Sequence, residues 1–277
     1  MAGGRASSAK LNGEQEACLA KSQTPADKPA KTEAAGKVKR PLSENFIRVW
    51  APTLVTALFI ITFNVQAFEI PSGSMENTLL IGDHVLVDRV RFSPPSTYLH
   101  GLEPYRPPQR GDIIVFMSMT QPGLHLVKRL MGLPGDHLKV VHKVLYRNGV
   151  ALNEPYAVHD REYDPGPDDW PNGFLPNETP EWAASKQQFL QNGEIVVPPG
   201  HYFMMGDNRD ESYDSRFWGF VPQDHIIGRP VLIYWSYKSD ESDYAATDMA
   251  DRLKGLISVL IHFPVRTRWN RTFKIVH

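Results

Sequence analysis

Apolar and polar side chains are mixed along most of the chain, but one segment stands apart. Val49 to Phe68 (VWAPTLVTALFIITFNVQAF) holds no charged residue, and Arg48 and Glu69 bracket it. Its length is about the 20 residues that a helix needs to cross the hydrocarbon core of a bilayer. It is apolar all round and shows no polar face. The pattern predicts one N-terminal transmembrane helix over 48–69, with Pro52 in the first turn, where proline is tolerated. Lys37, Lys39, Arg40 and Arg48 precede the run. Basic flanks favour the cytoplasmic side, so the N-terminus is expected inside and everything after Glu69 outside. The run exceeds the ~7–15 residues of a cleaved signal core. An uncleaved anchor is therefore favoured, although Val65 and Ala67 resemble a small-residue cleavage site.

Before the run, residues 1–47 are rich in Ala, Lys, Glu, Gly and Ser, with almost no large apolar residue before Leu42. Such a segment buries too little surface to offset its ordering entropy, and a disordered cytoplasmic tail is expected. After the run, short β-like stretches alternate with turn residues: His84–Val90, Asp112–Met117, Leu126–Met131, Leu138–Tyr146, Glu194–Val197, Tyr202–Met205 and Pro230–Tyr237. Many are rich in Val, Ile and Phe. Asn148-Gly149 between two such stretches reads as a hairpin turn. Residues 160–180, rich in Pro, Asp and Gly, read as a long surface loop. The body is therefore mainly β.

In 241–277 the period changes. Leu253, Leu256, Ile257, Leu260 and Ile261 fall at helical spacing, which predicts an amphipathic helix ended by Pro264. A basic tail follows, with Arg266, Arg268, Arg271 and Lys274 interleaved with Trp269 and Phe273. That segment either lies along a membrane surface or packs on the β body, and the sequence leaves both open.

Composition narrows the picture further. A net charge of −1 gives no field toward nucleic acid, so no nucleic-acid partner is expected. The 23 prolines favour strands and loops over a helix bundle. Cys18 is the only cysteine, which excludes an internal disulfide framework and a cysteine-based zinc site. No His-Glu-x-x-His occurs, so no metal is expected, and no cofactor.

Three segments carry candidate chemistry. Ile70-Pro71-Ser72-Gly73-Ser74-Met75 follows the apolar run almost at once, and a serine hydroxyl becomes a useful nucleophile only when a base takes its proton. Taken alone, Ser-Gly-Ser is an ordinary turn. In His125-Leu126-Val127-Lys128-Arg129-Leu130-Met131-Gly132-Leu133-Pro134-Gly135-Asp136, an extended chain puts Leu126, Lys128 and Leu130 on one face and Val127 and Arg129 on the other. An ammonium among leucines loses solvation and its pKa falls, which leaves a neutral amine able to accept a proton. A surface lysine that snorkels outward is the plainer alternative. His125 is expected to be structural. Gly206-Asp207-Asn208-Arg209-Asp210-Glu211-Ser212-Tyr213-Asp214-Ser215-Arg216 is dense in turn formers. On composition it is a solvated loop, and Asp214 and Arg216 sit two apart, able to pair across one face of an extended chain.

In this order, the three segments resemble bacterial type I signal peptidase, also called leader peptidase, a Ser/Lys-dyad serine peptidase family. The resemblance covers roughly residues 45–235. It is carried by Pro-Ser-Gly-Ser-Met after a span, by Lys-Arg before Gly-Leu-Pro-Gly-Asp, and by Gly-Asp-Asn-Arg-Asp-x-Ser-x-Asp-Ser-Arg running on to Trp218-Gly219-Phe220-Val221-Pro222. It implies that Ser74 is the nucleophile and Lys128 the general base, and that the Ser72 hydroxyl joins the Ser74 N–H in holding the oxyanion. It further implies that Ser212 orients the lysine, that Asp214 and Arg216 form a structural pair, and that Arg129 is structural. Met75 and Leu126 are the expected substrate-pocket residues. Asn77 stands where the family often has proline, and Leu126 where it often has an aromatic; the second departure bears on pocket shape.

The implied architecture is an antiparallel β catalytic domain over 70–240, on the periplasmic side of the cytoplasmic membrane, with a second β region inserted at about 138–200. The implied substrates are signal peptides of exported preproteins, cut after small residues, with the lipid bilayer and the secretion translocon as further partners. Two other readings remain at this stage: a narrow-range Ser/Lys peptidase maturing a pilin-like precursor, and a catalytically silent membrane-anchored binding protein that keeps the fold.

Overall fold

The computed structural model describes residues 42–90, 92, 106–173, 175–239, 259 and 261–276. The tail expected to be disordered lies outside these residues up to position 41, as do Cys18 and most of the amphipathic stripe from Leu253. The chain divides into two units, Met1–Arg48 and Val49–His277.

Helix α1 spans Leu42–Phe63 and strand β1 spans Val65–Glu69. The apolar run is thus split, and the expected single helix over 48–69 is corrected. Its first fifteen residues, Val49 to Phe63, are helical, a rise of about 22 Å at 1.5 Å per residue. Its last residues enter the sheet, where β1 pairs antiparallel with β2 (Asp83–Asp88), Phe68 facing Val85. Among the described residues, no helix is long and apolar enough to cross a membrane.

The main sheet is completed by β3 (Ile113–Met117), β4 (His125–Gly132), β10 (His201–Met205), β11 (Val221–Pro222), β12 (Ile226–Ser236) and β13 (Lys274–Ile275). Its order is β1-β2-β12-β3-β4-β10-β11, with β13 on β12 and every pairing antiparallel. The second sheet is built from β5 (His137–Val141), β6 (Val144–Arg147), β7 (Val150–Ala151), β8 (Leu190–Gln191) and β9 (Glu194–Val196), in the order β7-β6-β5-β9-β8. All its strands fall between β4 and β10. A mainly antiparallel β body with an inserted β region is therefore what forms.

Three segments differ from expectation. Leu138–Tyr146 is two strands, not one, because His142 and Lys143 take positive φ (51° and 69°) and close a tight hairpin without glycine. The Asn148-Gly149 turn forms as expected, with φ of 53° and 77° and Arg147 facing Val150. Residues 160–180 are only in part a surface loop, with 160–164 exposed. They hold α2 (Pro165–Asp168), and Trp170 is fully buried in the core of the second sheet with Leu138, Leu145, Ile195 and Phe203. Short helices α3 (Pro180–Ser185) and α4 (Ser215–Trp218) complete the elements.

At the C-terminus the helical residues 261–266 run through Pro264, which does not end the helix. The chain then turns back onto β12, and Val276 is buried in the core with Ile70, Met75, Leu79, Val85 and Ile233. The described part of the basic tail thus packs on the β body, although Val265, Trp269 and Phe273 stay exposed; most of the stripe that raised the two readings lies outside the described residues.

Candidate active site

Ser74 sits in a single 3₁₀ turn, Gly73–Met75, between β1 and β2. The turn is pinned from both ends. Gly82 N–H donates to Ile70 O at 2.9 Å, and Thr78 N–H and Leu79 N–H donate to Met75 O at 3.1 and 2.8 Å. Met75 is 1% exposed and packs into the core beside Leu79 and Ile113. Its side chain anchors the short turn to the core, and it is not among the residues lining the cavity beside Ser74.

Lys128 lies on β4 opposite Ile114, and β4 packs against the Ser74 turn. The residue is 3% exposed. The snorkelling alternative is thereby excluded. Ser72, Gly73, Ser74, Leu126, Lys128, Asn208, Glu211 and Tyr213 share one cavity of about 440 Å³ with Ser118, Thr120, Gln121 and Leu124. A separate cavity of about 360 Å³, lined by Pro171, Lys186 and Leu190 among others, holds none of the candidate residues. Burial lowers the Lys128 pKa from 10.5 to about 8; Asp214 opposes the fall, Arg216 adds to it and Asp207 opposes it. An amine with that pKa is half neutral near pH 8 and can accept a proton there.

The polar segment that reads as a solvated loop is instead largely buried. Asp207, Asn208, Arg209, Ser212, Asp214, Ser215 and Arg216 are all at most 5% exposed. Asp214 does not simply face Arg216 in extended chain; it caps the short helix α4, accepting from Arg216 N–H at 3.2 Å. Its carboxylate also takes Arg216 Nε and Nη2, both at 3.0 Å, and Gly206 N–H at 3.1 Å. Burial pushes the Asp214 carboxyl up, but Arg216, then Lys128 and the Gly206 amide, together hold it below the usual carboxylate range. Arg216 donates further to Arg209 O at 2.5 Å. The Ser212 hydroxyl is buried with no hydrogen-bond partner among the described residues, so the expected bond to Lys128 is not formed here.

Sequence reasoning gave no role to Asp207, which ties the three segments together. It accepts a bidentate pair from Arg129, Nε and Nη2 both at 2.7 Å, and a bond from the Thr78 hydroxyl at 2.5 Å. The next residue, Asn208, donates its N–H to Ser74 O at 3.2 Å. Nor were Glu154 and Tyr156 anticipated, both from the inserted region. Glu154 pairs with buried Arg209 at 2.6 and 2.7 Å, and the Tyr156 ring lies 3.9 Å from the Arg129 guanidinium. The available signal was the density of charge in Asp207–Arg216, since so many charges so close in sequence need partners if they are buried.

Gly206 shows how tightly this segment meets the serine turn. A Cβ there would fall 2.5 Å from Ser74 O and into van der Waals overlap with the Ser212 side chain. Gly206→Ala is expected to push the two segments apart, to cost roughly 1–3 kcal/mol as overpacking does, and to depress activity more than a surface substitution would. Thermal melts and peptide cleavage by the same preparation measure both effects.

Comparison with known proteins follows the same line. Residues 43–235 match the model of the family described as "Signal peptidase, peptidase S26". With the serine and buried lysine sharing one cavity, this makes the protein a serine peptidase, a hydrolase. Signal peptidase I of Pseudomonas aeruginosa is 33% identical over 218 residues, covering 72% of this chain and 75% of that protein. Signal peptidase I of Leptolyngbya laminosa is 33% identical over 220 residues, covering 77% and 88%. The chain belongs to the signal peptidase family. A crystal structure of a signal peptidase I from Enterococcus faecalis is 34% identical and covers 45% of this chain and 97% of that one, at a TM-score of 0.33, too low to bear on the fold.

Proposed function

We propose that this protein removes N-terminal signal peptides from exported preproteins, cutting after small residues, through an acyl-enzyme on Ser74 with Lys128 as general base. The observation that carries the reading is the burial of Lys128 in the wall of the Ser74 cavity, with its pKa lowered to about 8. Neutral Lys128 takes the Ser74 hydroxyl proton as that oxygen attacks the scissile carbonyl. The oxyanion is held by the Ser74 N–H and the Ser72 hydroxyl, an arrangement worth a few kcal/mol per donor. The Lys128 ammonium returns its proton to the leaving amine. Once neutral again, it activates the water that releases the acyl group. The Ser212 hydroxyl, without a partner among the described residues, is available to hold the amine during these transfers. Leu124 and Leu126 give the cavity a short apolar wall suited to a small side chain.

The chain works at a membrane in this reading, with its N-terminus cytoplasmic and the β body on the periplasmic side. Helix α1 supports it, since Val49, Leu54, Val55 and Leu58 are 65%, 57%, 66% and 57% exposed. Apolar side chains so exposed in a row suit lipid better than water.

The test is cleavage of a model preprotein in detergent, with the new N-terminus read by mass spectrometry. One cut after a small residue at the end of the signal peptide is expected. Cuts scattered over the mature region, or none, would sink the substrate assignment. The pH profile tests the base separately. Below about 8, kcat/KM should fall roughly tenfold per pH unit, because only the neutral amine works; above 8 it should level off. A limb near the ordinary histidine value of ~6.5 would assign the base to another residue.

A further inference from the structure

The match to the family ends at residue 235, yet the segment 261–276 reaches residues 78–83, just after the serine turn. Asp83 is fully buried at the start of β2. Its carboxylate accepts from the Ser236 hydroxyl at 2.6 Å and from Leu80 N–H at 2.9 Å. The strongest partner comes from 188 residues away: Arg271 Nη2 lies 2.5 Å from Oδ2, and its Nε lies 3.3 Å from Oδ1. Arg268 Nη1 stands 3.9 Å from the same carboxylate.

Both guanidiniums also donate to backbone carbonyls that follow Ser74. Arg271 Nη2 reaches Thr78 O at 3.0 Å, and Arg268 Nη1 reaches Ile81 O at 2.9 Å. Thr78 is the residue whose amide closes the turn on Met75 O and whose hydroxyl binds Asp207. The arginines themselves are fixed by the tail's pairing with β12: Arg268 N–H to Ser236 O at 2.8 Å, Phe273 N–H to Ile233 O at 2.7 Å and Val276 N–H to Val231 O at 3.1 Å.

We propose that Arg271, assisted by Arg268, is a positioning residue for the nucleophile: the C-terminal segment braces residues 78–83 so that Ser74 stays in register with Lys128. This rests on Ser74 being the nucleophile. The physical basis is that attack geometry tolerates little error, and a shift of about 1 Å can cost roughly 100-fold in rate. An Asp83 left buried without its cation draws in water or relaxes toward solvent, and it takes residues 78–81 with it.

The experiment uses the full chain in detergent, with kcat, KM and the pH limb measured well below the melting temperature. Arg271→Met is expected to lower kcat roughly 10- to 100-fold, to change KM by less than about threefold, and to leave the limb near pH 8. Arg271→Lys should recover part of kcat, because an ammonium can pair with Asp83 but lacks the fork that also reaches Thr78 O. Lys274→Met, exposed in the same tail, should change nothing. If Arg271→Met keeps kcat within about twofold while its melting temperature falls, the tail is only a stabilising strap and the proposal is overturned. Should Arg271→Met not fold, Arg268→Met takes its place, with a drop in kcat expected and an unchanged kcat overturning the proposal. Full cleavage by Ser74→Ala would overturn the nucleophile assignment instead, and so separates the two failures.

Discussion

Lys128→Met is expected to abolish cleavage while leaving the fold as stable as before, or more so. Methionine matches the length and apolar stem of lysine without the amine. Loss of a general base alone typically costs about 10²–10⁴-fold, and here the same group also serves as the acid for the leaving amine. A fall in kcat/KM of at least about 10³-fold is expected, and Ser74→Ala should match it. The two residues act as one unit, so the double variant should be no worse than either alone. Stability moves the other way. Burial holds the Lys128 pKa near 8 against 10.5 for a free side chain, so between those values the unfolded chain binds more protons than the folded one. Stability therefore rises with pH from 8 to 10.5, and below pH 8 the folded state carries a penalty of about 3 kcal/mol for the buried ammonium. Lys128→Met removes that penalty. Thermal melts at pH 7 should show no loss, and a large loss would mean that the amine is held by contacts the cavity does not show.

The strands were readable because their patterning is local. Val85 and Val87 are buried and Leu86 is not, which is what a period of two gives on a half-buried sheet. The Asn148-Gly149 turn was readable because both residues accept positive φ cheaply. The turn at His142-Lys143 was not, since nothing in those two residues advertises it; Val140 and Leu145 at the core enforce it. The apolar run from Val49 was read as one helix because hydropathy does not register strand pairing. Val65–Glu69 belong to the sheet only because β2 is there to pair with them. Lys128 was placed on the correct face from its leucine neighbours alone. Asp207 and the arginines 268 and 271 were beyond such reasoning, for their partners lie far away in sequence: 129 residues for Thr78 to Asp207 and 188 for Asp83 to Arg271. Long-range charge pairs have no period; the density of charge in Asp207–Arg216 signals that partners are needed but not which residues they are.

The second large effect should come from the Asp207–Arg129 pair. Asp207 is fully buried and Arg129 is 5% exposed, so Asp207→Ala leaves a guanidinium in the interior with only Gly111 O, the Thr78 hydroxyl and the Tyr156 ring for company. Breaking a buried pair by removing one partner typically costs about 3–5 kcal/mol, and for a body of this size that lowers the melting temperature by roughly 10 °C or more. Activity should fall further than stability explains. Asp207 also binds the Thr78 hydroxyl, and the adjacent Asn208 amide holds Ser74 O, so the serine turn loses the first restraint and the backbone that supplies the second is freer to shift. The two effects can be separated. In Asp207→Leu with Arg129→Met, no charge is left unpaired, and replacing a buried pair by apolar residues of similar size is often neutral for stability. The double variant is therefore expected to regain most of the melting temperature lost by Asp207→Ala but not the cleavage rate, because the Thr78 hydroxyl remains without its Asp207 anchor. Recovery of both would show that Asp207 serves the fold alone, and that Ser74 keeps its position without it.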